Sequence, residues 1–320
     1  MTDNRKLTIA VLAGGISHER DVSLRSGRRV ADELTEAGHR AILRDPGAGI
    51  LDWIAETAPD VVWPALHGAS GEDGALQALL RGRGIPYVGS HPEAAGLAWS
   101  KPTAKALVAR AGIATPEWLA LPRETFTELG AGAVLGEVAR AIGTPAVVKP
   151  SQGGSAQGVT IVDDSAQLPR AMVDAYTYSD VALIERKVEG TELAVTVIDT
   201  GDGPRALPAV EIEPLSGVYS FEARYNAGET IFYAPARVSD AIAAAAAETA
   251  VAVHELLGLR HISRVDLIVA ADGTPWFLEA NMLPGLTETS LAPQAIEAAG
   301  LELSSVYSDL AAAAATSSTS

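Results

Sequence analysis

Residues 264–281 read Arg264-Val265-Asp266-Leu267-Ile268-Val269-Ala270-Ala271-Asp272-Gly273-Thr274-Pro275-Trp276-Phe277-Leu278-Glu279-Ala280-Asn281. Two apolar-polar runs flank Asp272-Gly273, a two-residue turn signal for an antiparallel hairpin. With those two residues as the loop, Asp266 pairs with Glu279 and Arg264 with Asn281. Side chains two apart on a strand share a face. One face then carries Arg264, Asp266, Glu279 and Asn281; the other carries Val265, Leu267, Leu278 and Ala280, which suits burial. Two carboxylates and an amide offer only oxygen donors, the set a hard cation such as Mg²⁺ prefers. Arg264 beside them suits a phosphate or a developing anion. The competing reading is a cross-strand Arg–Glu ion pair on a solvated face.

Working outward, a second loop invites an anion. Ala146-Val147-Val148-Lys149-Pro150 runs into Ser151-Gln152-Gly153-Gly154-Ser155-Ala156-Gln157-Gly158. A strand there delivers a lysine into a glycine-rich turn whose backbone N–H groups can face phosphate. The P-loop pattern is absent, and Gln157 breaks a nucleophile elbow. A plain surface hairpin is the alternative.

The first 90 or so residues alternate strand and helix: strands at 7–13, 40–44, 61–66 and 86–88, helices at 22–37, 51–56 and 74–83. That pattern implies a parallel sheet covered by helices. Ligand-binding residues in such sheets follow the strand C-termini. Gly14-Gly15 with Ser17, His18 and Glu19, and His67-Gly68 with Gly71-Glu72-Asp73-Gly74, take those places. Helix capping is the plainer explanation of Glu72-Asp73. His39, His91 and His261 read as loop or structural residues. Further along, 101–111 is a helix, 146–149 and 159–162 are short strands, and 181–187, 193–199 and 206–212 are strand-like. An alanine-rich helix spans 239–257, and helices at 291–299 and 303–315 close the chain. The fold class is α/β followed by α+β.

Composition narrows the function. The 320 residues hold 24 Lys+Arg, 40 Asp+Glu and no cysteine, a net charge of −16. Disulfides, thiolate metal sites and a cysteine nucleophile are excluded. The acidic balance argues against a general nucleic-acid coat or an anionic-membrane binder, so neither nucleic acid nor membrane is an expected partner. It leaves room for a small basic pocket. Arg5-Lys6 before an apolar run resembles a leader, but Asp3 and the polar His18-Glu19-Arg20-Asp21 favour a buried first strand in a cytoplasmic protein.

Taken in order, these segments resemble the D-alanine–D-alanine ligase family of the ATP-grasp superfamily. The likeness rests on Gly14-Gly15-Ile16-Ser17-His18-Glu19, His67-Gly68 with Gly71-Glu72-Asp73-Gly74, Tyr87-Val88-Gly89-Ser90 and Lys149-Pro150 with Gly154-Ser155. It continues through Glu185, Glu189-Gly190-Thr191-Glu192, Phe221-Glu222-Ala223-Arg224-Tyr225, Arg264-Val265-Asp266, Glu279-Ala280-Asn281, Pro284-Gly285-Leu286-Thr287 and Ser290-Leu291.

The resemblance implies an ATP-grasp architecture: a Rossmann-like parallel-sheet domain at 1–97, a small central lobe at 98–182 and a larger antiparallel-sheet lobe at 183–320. It implies that ATP activates the carboxylate of one D-alanine as an acyl phosphate, which the amine of a second D-alanine displaces, for peptidoglycan precursor synthesis. It implies two Mg²⁺ ions, with Mn²⁺ an alternative, on Asp266, Glu279 and Asn281. Lys101, Lys149, Gly154, Ser155, Glu185, Val188, Glu192 and Arg224 would contact the nucleotide. Glu19, linked through Ser155 and Tyr225, would bind the first ammonium. Arg264 and the Gly285 N–H would form an oxyanion hole. Ser290 and Leu291 would bind the second carboxylate, with His67 nearby, and 216–228 would close over the site. A homodimer is the implied assembly. Ser100, Ala69-Ser70, Ala156, Arg224 and Met282 depart from the family's usual residues. They motivate one alternative, the same chemistry on other amino acids.

Overall fold

A computed structural model of the chain describes residues 5–215 and 228–316. The first sheet is parallel, with β1 (Thr8–Leu12) between β2 (Arg40–Arg44) and β3 (Val61–Pro64). A central parallel strand is covered on both faces and so reads as a continuous apolar run. Ile9, Ala10, Val11 and Leu12 fit that and are wholly buried. Helix Arg20–Glu36 crosses from β1 to β2 and ends before Gly38, whose φ of 91° suits glycine. The short strand expected at 86–88 is only a bridge between Tyr87 and Val62. The C-terminal helix Leu303–Thr316 returns to this sheet, its Tyr307 ring 5.3 Å from that of Trp63. Truncating so buried an aromatic typically costs about 3–5 kcal/mol.

The second sheet is antiparallel, in the order β4 (Trp118–Pro122), β7 (Val181–Arg186), β5 (Ala146–Pro150), β6 (Thr160–Val162). Helices Ala131–Ala141 and Leu168–Tyr176 supply Val138, Leu168 and Met172 to its core.

The third sheet is also antiparallel. It runs β11 (Thr230–Tyr233), β10 (Val210–Pro214), β8 (Thr191–Ile198), β12 (Ile262–Val269), β13 (Pro275–Asn281), with β9 (Arg205–Ala206) beside β8. One core joins its Val195, Leu267 and Phe277 to helices Lys101–Arg110 and Asp240–Leu256. Another core joins its Ala194 and Ile212 to helix Leu291–Ala298 and to the first sheet. The single strand expected at 206–212 is two pieces, because Pro208 has no N–H to give the ladder.

The hairpin corrects one expectation and keeps another. The loop has three residues, Ala271-Asp272-Gly273, closed by Ala270 N–H on Thr274 O and ending in Gly273 at φ 85°. Leu267 therefore faces Phe277. The register then shifts between Asp266 and Leu267, and beyond it Asp266 faces Glu279 and Arg264 faces Asn281. The bulge residue is Leu278. Two residues of β13 there oppose one of β12, so Leu278 turns with Glu279 toward the cleft. Phe277 takes the core place expected for Leu278 and is wholly buried.

Candidate active site

The second and third sheets face one another across a cleft. A cavity of about 440 Å³ lies there, within the size range of small-molecule sites. β5 supplies Lys149, β7 supplies Glu185, the segment entering β8 supplies Val188 and Glu192, and the hairpin supplies Asp266 and Glu279. Lys101 and Gly154 border both this cavity and a second one of about 30 Å³. Ser155, Arg264, Asn281 and Met282 line the smaller space, with Glu72 on its far wall.

Buried charges in the cleft come in compensated sets. Glu185 Oε1 lies 2.5 Å from Lys149 Nζ, and Oε2 lies 2.9 Å from Lys105 Nζ. Burial resists the charge on Glu185, but the two ammonium groups outweigh it and hold the carboxyl below its ordinary range. Burial likewise resists charge on Lys149; Glu185 and Glu279 outweigh it and raise this lysine. Lys105 is wholly buried, and burial brings it down to about 8 despite Glu185. Its Nζ also donates to Thr115 Oγ1 at 2.7 Å, and Thr115 passes the bond to Phe277 O of the hairpin at 2.8 Å.

The carboxylates of the hairpin meet resident cations. Arg264 grips Asp266 through two bonds of 2.7 and 2.9 Å. Lys101 Nζ lies 3.1 Å from Glu279 and donates to Gly153 O at 2.6 Å. Asn281 Oδ1 accepts from Leu283 N–H at 2.9 Å. An all-oxygen set on adjoining strands suits Mg²⁺, and the donor chemistry fits. Among the described residues no group of three His, Cys, Asp or Glu side chains forms a metal cluster.

Glu19 precedes helix Arg20–Glu36, on the loop leaving β1. Its carboxylate accepts from Ser155 Oγ across the cleft. Gly154 runs close beside it: a Cβ there would stand 3.2 Å from Glu19 Oε1. His67, Gly285, Ser290 and Leu291 lie outside both cavities. A Cβ on Gly285 would stand 2.9 Å from Ser290 Oγ, which itself accepts from Thr287 N–H at 3.0 Å. His67 connects to this turn: its Nε2 is 3.2 Å from Ser26 Oγ, which accepts from Leu286 N–H at 3.1 Å. Tyr225, Arg224 and most of the expected closing segment lie outside the described residues.

Two participants escaped the sequence reading. Lys105 follows Lys101 by one helical turn, and that i,i+4 spacing is its only signal. Ser26 carried none. Glu72-Asp73 reads both as a ligand-binding position and as a cap; Asp73 does accept from Ala75 N–H at 2.8 Å, whereas Glu72 is buried at the site.

A polar cleft gripped between two antiparallel sheets, preceded by a parallel-sheet domain, is the ATP-grasp architecture. Family models described as D-ala D-ala ligase N-terminus and D-ala D-ala ligase C-terminus match residues 49–90 and 107–312. The D-alanine--D-alanine ligase of Anaeromyxobacter sp. (strain K) is 41% identical over 296 residues, 92% of each chain. The VanG D-Ala:D-Ser ligase from Enterococcus faecalis superposes with a TM-score of 0.81 at 27% identity, covering 96% of this chain and 98% of that one. The D-alanine--D-alanine ligase from Bacillus anthracis complexed with ATP gives 0.77 at 28% identity, covering 95% and 96%. The chain belongs to the D-alanine–D-alanine ligase family. Among the described residues, no helix is long and apolar enough to cross a membrane.

Proposed function

We propose that this chain joins two D-alanines at the expense of ATP, through an acyl phosphate, to supply peptidoglycan precursors. The observation that carries the reading is a juxtaposition. Ser155, which donates to Glu19, and Glu279, which faces Asp266 across the hairpin, line one small space together with Lys101 and Arg264.

A carboxylate is a poor electrophile, so its oxygen must become a leaving group. The carboxylate oxygen of the first D-alanine attacks the γ-phosphorus of ATP, and the bond from that phosphorus to ADP breaks. Catalysis of such a transfer is mostly positioning and charge. In this reading Lys149 and Lys101 hold phosphate oxygens, Glu185 and Val188 meet the adenine, and Glu192 meets the ribose. Glu19, fixed by Ser155 and Tyr225, holds the first ammonium. Asp266, Glu279 and Asn281 would hold Mg²⁺, which neutralises phosphate charge when bound.

The second amine then attacks the acyl carbon and the C–O bond to phosphate breaks. Of the two protons its nitrogen loses, one leaves with phosphate and one passes to solvent. Arg264 and the Gly285 N–H face the developing oxyanion, and Ser290 with the Leu291 N–H holds the second carboxylate. Arg224 and segment 216–228 complete the enclosure that keeps water from the acyl phosphate. We assign the three lobes to 1–97, 98–182 and 183–320, and read the protein as a cytoplasmic homodimer on the strength of its family. ADP release with D-alanine, D-serine and L-alanine in separate reactions tests the substrate. D-alanine should give the highest kcat/KM; turnover with L-alanine alone would defeat the proposal.

A further inference from the structure

Glu72 stands apart from the other acids of the site. It is 8% exposed and ends the short helix Ala69–Glu72 on the wall of the 30 Å³ cavity. Asp266 and Glu279 of the hairpin are matched by Arg264 and Lys101. Glu72 has no such match: its Oε1 accepts from Gly68 N–H at 3.2 Å and lies 3.6 Å from His67 Nδ1. A buried carboxylate without a cation is costly unless one arrives. Burial raises this carboxyl above its ordinary value, and the nearby Glu19 adds to the rise.

The cavity indicates what arrives. It is small, about 30 Å³, and Glu72 shares its lining with Arg264 and Lys101. Its walls include Arg264, Asn281, Gly154 and Ser155, the last of which donates to Glu19. The species that enters a two-step ligation last, and enters as a cation, is the attacking amino acid. Resting on the ligase reading above, we infer that Glu72 receives and orients the α-ammonium of the second amino acid.

His67 is then its positioning residue. Ser26 Oγ accepts from Leu286 N–H and lies 3.2 Å from His67 Nε2. The other ring nitrogen, Nδ1, faces Glu72 Oε1 at 3.6 Å. The chain Leu286–Ser26–His67–Glu72 ties the ammonium receptor to the turn that bears Gly285 and Ser290.

The test separates the two halves of the reaction. Hydroxylamine is uncharged at neutral pH and traps an acyl phosphate as a hydroxamate without needing an ammonium receptor. Wild-type and Glu72→Gln protein are given ATP and D-alanine, with hydroxylamine or without. A charge-assisted contact is worth roughly 10–100-fold in rate. Glu72→Gln should therefore lower kcat/KM for dipeptide by about that factor while hydroxamate stays within about twofold. Glu72→Asp keeps the charge on a shorter arm; it should retain hydroxamate and lose less dipeptide, and it serves if Gln misfolds. Parallel loss of both products, or loss of neither, overturns the assignment. A wild-type protein that forms neither product would instead defeat the ligase reading beneath it.

Discussion

Lys105 offers a prediction whose sign can be worked out. It shares Glu185 with Lys149, so the buried set holds two cations and one anion. Burial lowers Lys105 from 10.5 to about 8. Between those values the unfolded chain keeps a proton that the folded chain has released. Stability therefore rises with pH across that window and gains nothing below it. At 1.36 kcal/mol per unit the full rise is about 3 kcal/mol, of which about 2 kcal/mol falls between pH 7.5 and 9.5. Lys105→Met has no proton to release. It leaves Glu185 and Lys149 as a neutral pair and forfeits the bond to Thr115, a loss of about 1 kcal/mol. The assay is urea unfolding of ligand-free wild type and variant at both pH values. The variant should be the more stable at pH 7.5, and its margin should shrink by about 2 kcal/mol by pH 9.5. A margin that does not move with pH would refute the reasoning, because the lysine would then carry no buried charge penalty.

Two further outcomes follow from the same geometry. Glu279→Gln removes the carboxylate that pairs across the bulged hairpin with Asp266 and should lower kcat by more than about 100-fold; near-normal turnover would remove the hairpin from the chemistry. His261 holds φ at 62°, and its Nδ1 accepts from Gly89 N–H at 2.9 Å. Burial brings it down to about 3 from 6.5, so the wild type should lose stability as pH falls below 6.5. His261→Asn, which tolerates that backbone, should show an acid-side decline smaller by about 2 kcal/mol between pH 7.5 and 5 in urea unfolding. An unchanged decline would show that His261 is not the group titrating.

The parallel sheet near the N-terminus was legible because a run such as Ile9-Ala10-Val11-Leu12, set in a strand–helix alternation, suits a covered parallel strand. The pairing of Asp266 with Glu279 was legible for a less direct reason. The loop is one residue longer than the Asp272-Gly273 signal implied, and the extra residue Leu278 absorbs the difference before Glu279 is reached. A bulge has no residue signature of its own, so its gift of Leu278 to the cleft could not be read. Lys105 and Ser26 were illegible for another reason: each is polar and wholly buried, and only the tertiary partners Glu185 and His67 make that affordable. Glu72 stayed open between cap and site because capping and site chemistry use the same residue types at helix ends.

The central claim is that this chain forms a peptide bond between two D-alanines with one ATP consumed per bond. The most direct measurement is D-alanyl-D-alanine and ADP quantified together, by mass spectrometry, from purified protein, ATP, Mg²⁺ and D-alanine as the only amino acid. The account predicts the two products in equal amounts, and their joint loss in Glu279→Gln. ADP without dipeptide, or dipeptide undiminished in Glu279→Gln, would contradict it.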